Sequence, residues 1–434
     1  MVVLALLACA PEPLPGARVV DAERGPSAGT TDSRDSGAVG LAEPPPFACE
    51  SPIHVAAAGS STAALVLADA HALVWGALPN PARVRLFFGD DPSTEMSVLW
   101  TTDRLTQATQ LQLGSTPAYG YTTTGASFQM GLDTDDIRVH ELRICGLQVG
   151  RTYHYRVGGE GHWSPDATLT TAPAPGVATT FTFGVAGDSR GSPATWQQVA
   201  AAMRAEGVDF IAYNGDAVVN GGNMVEWKAW MDAAVGVAEN TPFVNVMGNH
   251  EMHHQYYYGF VSQPGNEAWF AFDYANARLA VLLDTVVTPD QWTAQAAWLT
   301  SDLSASTQPW KFTLGHKAAY ASSKTSGADR FVLTYLVDPM EVGGVSVAFA
   351  GHAHRYERSV PLRDGKAVGA EDGVTYVVSG GAGAPLYTTS NDYWYTAEQA
   401  NSYNYLIVTV DGPLMTYVAY DLAGNVLDAF TTTR

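Results

Sequence analysis

The chain has 434 residues, long enough for two ordinary domains with further segments. A composition of 46% hydrophobic and 15% charged residues describes a core-forming protein and excludes a disordered one. The formal net charge of −20 excludes a nucleic-acid polymer or an anionic lipid surface as a broad partner, because both need a positive footprint; a small phosphorylated substrate stays compatible if bound cations reverse the field locally.

Residues 1–9 form an apolar run from Met1 to Ala8 closed by Cys9. Leu6-Leu7-Ala8-Cys9 resembles the lipobox of bacterial lipoproteins, which implies a lipid on Cys9, membrane attachment through it, and export to the cell envelope. An ordinary cleaved signal, giving a secreted or periplasmic protein, and a chance apolar start are the alternatives. The usual basic segment before the apolar run is missing, as it would be if translation started upstream of Met1. Residues 10–49 are rich in Pro, Gly, Ala and Ser without periodicity and read as a flexible tether. No later stretch reaches the ~20 apolar residues that a transmembrane helix needs. With Cys9 set aside, Cys49 and Cys145 remain as an even pair; a disulfide and two separate buried thiols both fit.

Residues 50–174 carry short alternating strands between turn residues: Arg83 to Phe87, Met96 to Trp100 and Thr152 to Val157 each show period two. Strands at this spacing predict an all-β sandwich of about 100 residues. Leu147-Gln148-Val149-Gly150-Arg151-Thr152-Tyr153-His154-Tyr155 resembles the corner motif of fibronectin type III domains, with Val149 at the proline position. Thr170 to Gly176 is a proline-marked linker. Residues 178–434 then alternate strands with helices, as an α/β domain does. Thr180 to Ala186 is a buried strand. Ser192-Pro193 opens a helix to about Glu206, with Ser192 as N-cap. Val208 to Asn214 is the next strand, Thr288-Pro289-Asp290-Gln291 is a capping-box start for a helix to about Leu303, and Gly343 to Ala350 is a strand. The closing segment 373–434 returns to strands such as Val374 to Val378 and Tyr405 to Val410. The fold class expected is therefore multidomain: an N-terminal β-sandwich, fibronectin III-like, followed by an α/β domain.

The informative feature is where the polar residues fall. Asp188, Asp216, Asn249, His316 and the pair His352/His354 each follow an apolar strand-like run, and each of the five places has a glycine just before its first polar residue. In α/β sheets the carboxyl ends of strands converge on the edge where sites are built, and glycine lets the chain turn sharply there. Oxygen donors with neutral imidazoles suit Zn, Mn or Fe. A carboxylate such as that of Asp216 can bridge two cations ~3.5–4 Å apart, which generates a hydroxide nucleophile and clamps a phosphoryl oxygen. A single Gly-Asp is usually only a turn; five such places in order are not explained by turns.

Gly187-Asp188, Gly215-Asp216, Gly248-Asn249-His250-Glu251, His316 and Gly351-His352-Ala353-His354 together resemble the signature of the calcineurin-like metallophosphoesterases. Gln291 with Trp298-Leu299 and Asp302-Leu303, then Pro309-Trp310, and the block Gly351 to Arg358 are similar to the purple acid phosphatase branch. The likeness spans about 50–434. It implies two packed mixed sheets flanked by helices and two metal ions, Fe, Zn or Mn. Asp216 would bridge both ions, Asp188 and His354 would serve one, and Asn249, His316 and His352 the other. His250 is implied as the catalytic histidine that contacts phosphate and assists proton traffic, with Glu251 orienting its imidazole.

Two departures bear on the first ion. The family's iron-ligating tyrosine falls where this chain has Val219, and related enzymes place a histidine where it has Arg190. The first ion therefore lacks its fourth protein ligand, and no tyrosinate-to-iron colour is expected. Arg190 is instead a candidate for binding substrate phosphate oxygens, or for a structural ion pair. Ser326 stands where a further histidine is expected, with Lys317, Lys324 or Arg330 as replacements. The implied activity is metal-dependent hydrolysis of phosphomonoesters. The alternatives are a phosphodiesterase or nucleotidase, with Tyr256 to Tyr258 and Tyr387 to Tyr395 as substrate-facing aromatics, or a non-catalytic surface-binding lipoprotein with a degenerate site.

Overall fold

The computed structural model describes Cys49 and residues 72–130, 137–285 and 287–434. The lipobox with Cys9, and all of the proposed tether but Cys49, lie outside the described residues. Cys49 is joined to Cys145 by a disulfide across 96 positions of sequence, which selects between the two readings of that pair.

Alternation decides the first region. Ala82–Phe88, Met96–Asp103, Ile137–Ile144 and Ala126–Met130 form one antiparallel run, and Tyr121–Thr124, Gln110–Gly114, Thr152–Gly158 and Ala167–Thr170 form a four-stranded sheet. Val84, Leu86, Val98 and Trp100 from the first run share a buried cluster with Leu111, Leu113, Tyr155, Val157 and Leu169 from the second, making a sandwich. In the fibronectin-like corner the Tyr153 Oη accepts from the Gln148 amide at 2.9 Å.

The α/β region is built from two mixed sheets. In one, Phe181–Ala186, Phe210–Tyr213 and Phe243–Asn245 run parallel, and Asn404–Asp411, Leu414–Asp421 and Val426–Thr433 extend it antiparallel from the Phe181 edge. In the other, Ala277–Val281, Trp310–Leu314, Val347–Ala350 and Thr375–Ser379 run parallel. Phe183, Phe210, Phe272, Phe312, Phe349 and Val408 fill the space between the sheets. Outside them, Trp196, Met203, Trp227 and Trp230 belong to a second buried cluster with Ile211 and Phe243, while Trp292, Leu299, Leu303 and Met340 belong to a third with Ala280 and Ala348.

The helix at Ser192 spans Pro193–Ala205 with proline in its first turn, but Ser192 makes no side-chain cap; its Oγ pairs with Thr195 Oγ1 at 2.9 Å instead. The capping box of Thr288 and Gln291 is present, and its helix runs Pro289–Ala305. Part of the strand expected from Gly343 is helical, since Val337–Gly343 is a helix and the strand is Val347–Ala350. Period-two and helix-start signals did not reveal Met224–Ala233, whose cap is Asn223 accepting from Val225 and Glu226.

The sandwich and the α/β sheet share backbone pairing: Ala82–Phe88 lies parallel to Phe243–Asn245, at Phe87 opposite Phe243, so a single ten-stranded sheet crosses both regions. At this joint Glu141 is buried and accepts from Ser262 Oγ at 2.5 Å, near Arg85 and Arg143. Burial raises its carboxyl to about 7, against the pull of Ser262 and the two arginines. The folded chain thus holds a proton that the unfolded chain has released between about pH 4.5 and 7. Stability from this group therefore falls by up to about 3 kcal/mol as pH rises through that window and is flat above it. Glu141→Gln is expected to lose less stability than the wild type between pH 5 and 8 in denaturant titrations; equal losses would refute the assignment.

Candidate metal centre

Each singled-out residue follows a strand of one or other sheet. Asp188 comes after Phe181–Ala186, Asp216 after Phe210–Tyr213 and Asn249 after Phe243–Asn245, while His316 follows Trp310–Leu314 and His352 and His354 follow Val347–Ala350. The carboxyl edges of the two sheets therefore face one cluster. Asp188, Asp216 and His352 have φ of 61°, 58° and 65°, a left-handed conformation that non-glycine residues adopt at a cost and that gathers at functional sites. The glycines before them serve approach as well as turning. A Cβ on Gly215, whose φ is +87°, would lie 2.8 Å from His316 Nδ1, and one on Gly248 would lie 2.3 Å from Asp216 Oδ1.

Two donor groups share Asp216: Asp216, His316 and His352 in one, and Asp188, Asp216 and His354 in the other, with ligand atoms of each group within 4.8 Å of one another. In the first, His316 Nε2 is 3.4 Å from Asp216 Oδ1, 3.2 Å from His352 Nδ1 and 3.1 Å from Asn249 Oδ1. His316 Nδ1 donates to the Asn214 carbonyl at 2.7 Å, so in the neutral ring Nε2 presents its lone pair to the cluster. In the second, His354 Nε2 is 3.5 Å from Asp188 Oδ1, a buried carboxylate oxygen that has no hydrogen-bond partner among the described residues. His354 Nδ1 donates to the Pro385 carbonyl at 2.8 Å, which likewise leaves Nε2 its lone pair.

The electrostatics call for positive charge. Burial opposes charging His316, but Asp216, Asp188 and Asp284 outweigh it and raise the imidazole to about 9. Burial and the charge on His316 push His352 down to about 3. Burial raises Asp188, whereas His316, His250 and Arg190 hold Asp216 low despite its burial. Asp284, which sequence reasoning missed, accepts the His316 and Lys317 amides at 2.8 and 2.9 Å and fixes the turn behind His316. Nothing in its sequence setting separates it from an ordinary loop aspartate.

Oxygen and imidazole donors converging with free lone pairs fit a metal ion at Asp216, Asn249, His316 and His352. The second group also brings its donors together, but Arg190 reaches into it. Arg190 Nη2 lies 3.3 Å from His354 Nε2 and Nε lies 3.4 Å from Asp216 Oδ2.

The family profile described as "Purple acid Phosphatase, N-terminal domain" matches residues 81–171, and that described as "Calcineurin-like phosphoesterase" matches residues 181–356. These consecutive matches support a likeness to the purple acid phosphatase-like metallophosphoesterases. It is 25% identical over 311 residues to purple acid phosphatase 18 of Arabidopsis thaliana, covering 66% of this chain and 68% of that protein. It is 25% identical to a purple acid phosphatase of Glycine max, covering 65% and 64%. The chain thus spans about two thirds of the length of these curated relatives. The purple acid phosphatase PPD1 from yellow lupin seeds has the same fold, with a TM-score of 0.72 at 20% identity, covering 82% of this chain and 75% of that one. The calcineurin-like phosphoesterase match supports a phosphoric ester hydrolase, a class that works with a binuclear metal centre.

Against that family background the departures have clear positions. Val219 is 44% exposed and apolar, so it offers no donor. Tyr213 does not replace the missing tyrosine: its buried hydroxyl is held by Ser189 Oγ at 2.6 Å and by the Asp216 carbonyl at 3.3 Å. Lys317 is paired with Asp329 at 3.3 Å, and Arg330 lies over the Phe331 ring.

Two expectations are corrected. Glu251 does not orient His250; it accepts from the main-chain amides of Asp216, Ala217 and Gly248 at 3.0, 2.7 and 2.6 Å, while His250 Nδ1 donates to the Val219 carbonyl at 2.7 Å. Tyr256 to Tyr258 are packing and hydrogen-bonding groups: Tyr257 is buried and donates to the Asn245 carbonyl, and Tyr258 pairs with His253. Of the later aromatics, Tyr387 stacks on His354 at 4.1 Å, and Trp394 is 61% exposed.

Proposed function

We propose that this chain hydrolyses phosphate esters, phosphomonoesters above all, at the cluster of Asp188, Asp216, Asn249, His316, His352 and His354. The observation that carries the reading is the convergence of these six strand-end residues around the shared carboxylate of Asp216. Asp216, Asn249, His316 and His352 would hold one Zn, Mn or Fe ion, and Asp188 and His354 would face the position of another. When bound, such an ion supplies charge opposite to the phosphate's and activates water for attack on phosphorus. Arg190, 19% exposed at the side chain, would hold phosphoryl oxygens by its planar fork.

His250 would serve the leaving group. Its Nδ1–H is committed to the Val219 carbonyl, and Nε2 lies 3.8 Å from Asp216 Oδ2 on the half-exposed side of the cluster. A proton carried on Nε2 can pass to the departing oxygen. His250→Ala is expected to lower kcat by about 10²-fold or more on an alkyl phosphate, whose leaving oxygen needs that proton. The loss on a nitrophenyl phosphate should be smaller. Equal losses on both substrates would remove the proton-transfer role.

The disulfide Cys49–Cys145 supports export to an oxidising compartment, with attachment through Cys9 or release as the two forms. Among the described residues no helix is long and apolar enough to cross a membrane. The test of the activity is direct. The full chain, freed of metal by chelation and reloaded with Mn, Zn or Fe, is assayed on an aryl phosphate monoester and on the matching diester. Faster monoester turnover supports the reading, faster diester turnover moves it to a phosphodiesterase, and no turnover with any metal overturns it in favour of a binding protein.

A further inference from the structure

We propose that the guanidinium of Arg190 stands where the first metal ion would bind, so that this chain holds one tightly bound ion beside a fixed positive charge of its own. The inference rests on the reading of Asp216, Asn249, His316 and His352 as ligands. Its core is a competition for one lone pair. His354 Nδ1 carries its proton to the Pro385 carbonyl, so Nε2 has a single lone pair to give, and Arg190 Nη2 is 3.3 Å from it. A metal ion ligating that nitrogen at about 2.1 Å would have to displace the guanidinium.

The same side chain meets the second donor of that group, with Nε 3.4 Å from Asp216 Oδ2. It is held there from its root, because the Arg190 amide donates to the Asp216 carbonyl at 3.1 Å and the Ser192 amide closes the turn on Ser189 at 3.1 Å. Neither the Arg190 guanidinium nor the Val219 side chain can donate electrons to a cation. The other half is unobstructed: Asn249 Oδ1 and His352 Nδ1 lie beside His316 Nε2 with no lysine or arginine hydrogen-bonded to those three atoms among the described residues. A monovalent charge that cannot dissociate thus offsets part of the negative charge of Asp188 and Asp216. It also repels a dication approaching the same atoms.

The test is metal content. The full chain is stripped with chelator, dialysed against excess Mn²⁺, and assayed for bound manganese and by electron paramagnetic resonance. The wild type is expected to bind one equivalent with the six-line spectrum of an isolated ion. Arg190→Ala and Arg190→His are expected to bind two, with a spin-coupled spectrum, the second ion at least tenfold tighter than in the wild type. Thermal melts establish that the variants are folded; if they are not, the wild-type stoichiometry decides. Two equivalents in the wild type, or one in folded variants, would overturn the proposal while leaving the ligand set intact. No bound manganese in the wild type would overturn the ligand set as well.

Discussion

Asp216→Asn is expected to lower kcat/KM for an aryl phosphate by at least about 10³-fold, a loss of some 4 kcal/mol of transition-state stabilisation. Asp216 belongs to both donor groups, with Oδ1 toward His316 and Oδ2 toward Arg190 and His250, so its loss impairs every arrangement the cluster can form. Asparagine is the informative replacement. It keeps the shape, tolerates the φ of 58° that alanine would adopt at a cost of about 1 kcal/mol, and removes only the charge. The wild type should gain about 2.7 kcal/mol of stability from metal at a hundred times its Kd. The variant's melting curve should not respond to the same addition. Full activity, or an undiminished metal response, in Asp216→Asn would mean that the shared carboxylate is not the centre of the site.

Glu251→Ala is expected to destabilise the fold by about 4 kcal/mol, because three buried amides lose their acceptor and each unsatisfied donor costs about 1–3 kcal/mol. One carboxylate ties the turn of Asp216 to the turn of Gly248, the two places that present Asp216 and Asn249. Burial and the neighbouring charge of Asp216 raise its carboxyl to about 7. In Glu251→Gln the amide oxygen can keep the two amides of Asp216 and Gly248, but its NH₂ then opposes the Ala217 amide. Stability should therefore rank wild type, then glutamine, then alanine. Metal affinity should drop by about 10–100-fold, as when other groups that position metal ligands are lost. A melting midpoint for Glu251→Ala within the error of the wild type's would show that the amides find other partners.

The two experiments probe different levels of the same design. As a proposed ligand Asp216 would act by charge, so the asparagine variant should fold and fail to bind. Glu251 acts on the backbone that carries the ligands, so its variants should lose stability first and affinity as a consequence.

Much of the site was readable in the amino-acid order. A glycine and a polar residue at the end of an apolar strand is a local pattern, and it singles out Asp188, Asp216, Asn249, His316, His352 and His354, which the fold brings together. The Thr288 capping box and the main strands were local for the same reason: period two and cap chemistry are written within a few residues. The helix Met224–Ala233 escaped because apolar Val225 and Ala229 stand among Glu226, Lys228 and Asp232 on its outer face and blur the contrast with its buried tryptophans and methionines. What local pattern cannot carry is a partner distant in sequence. Glu251 sits beside His250 in the chain, yet its carboxylate bonds amides near Asp216, 34 and 35 positions away. The joining of the sandwich to the catalytic sheet through Phe87 and Phe243 is of the same kind.

By itself the sequence determined which residue types stand at the strand ends, and hence the family and the class of chemistry, because those depend on donor identity and spacing. Only the tertiary structure decided how the donors divide. Whether Arg190 faces substrate, solvent or His354 depends on two loops 164 residues apart meeting over one nitrogen lone pair, and no spacing along the chain records that.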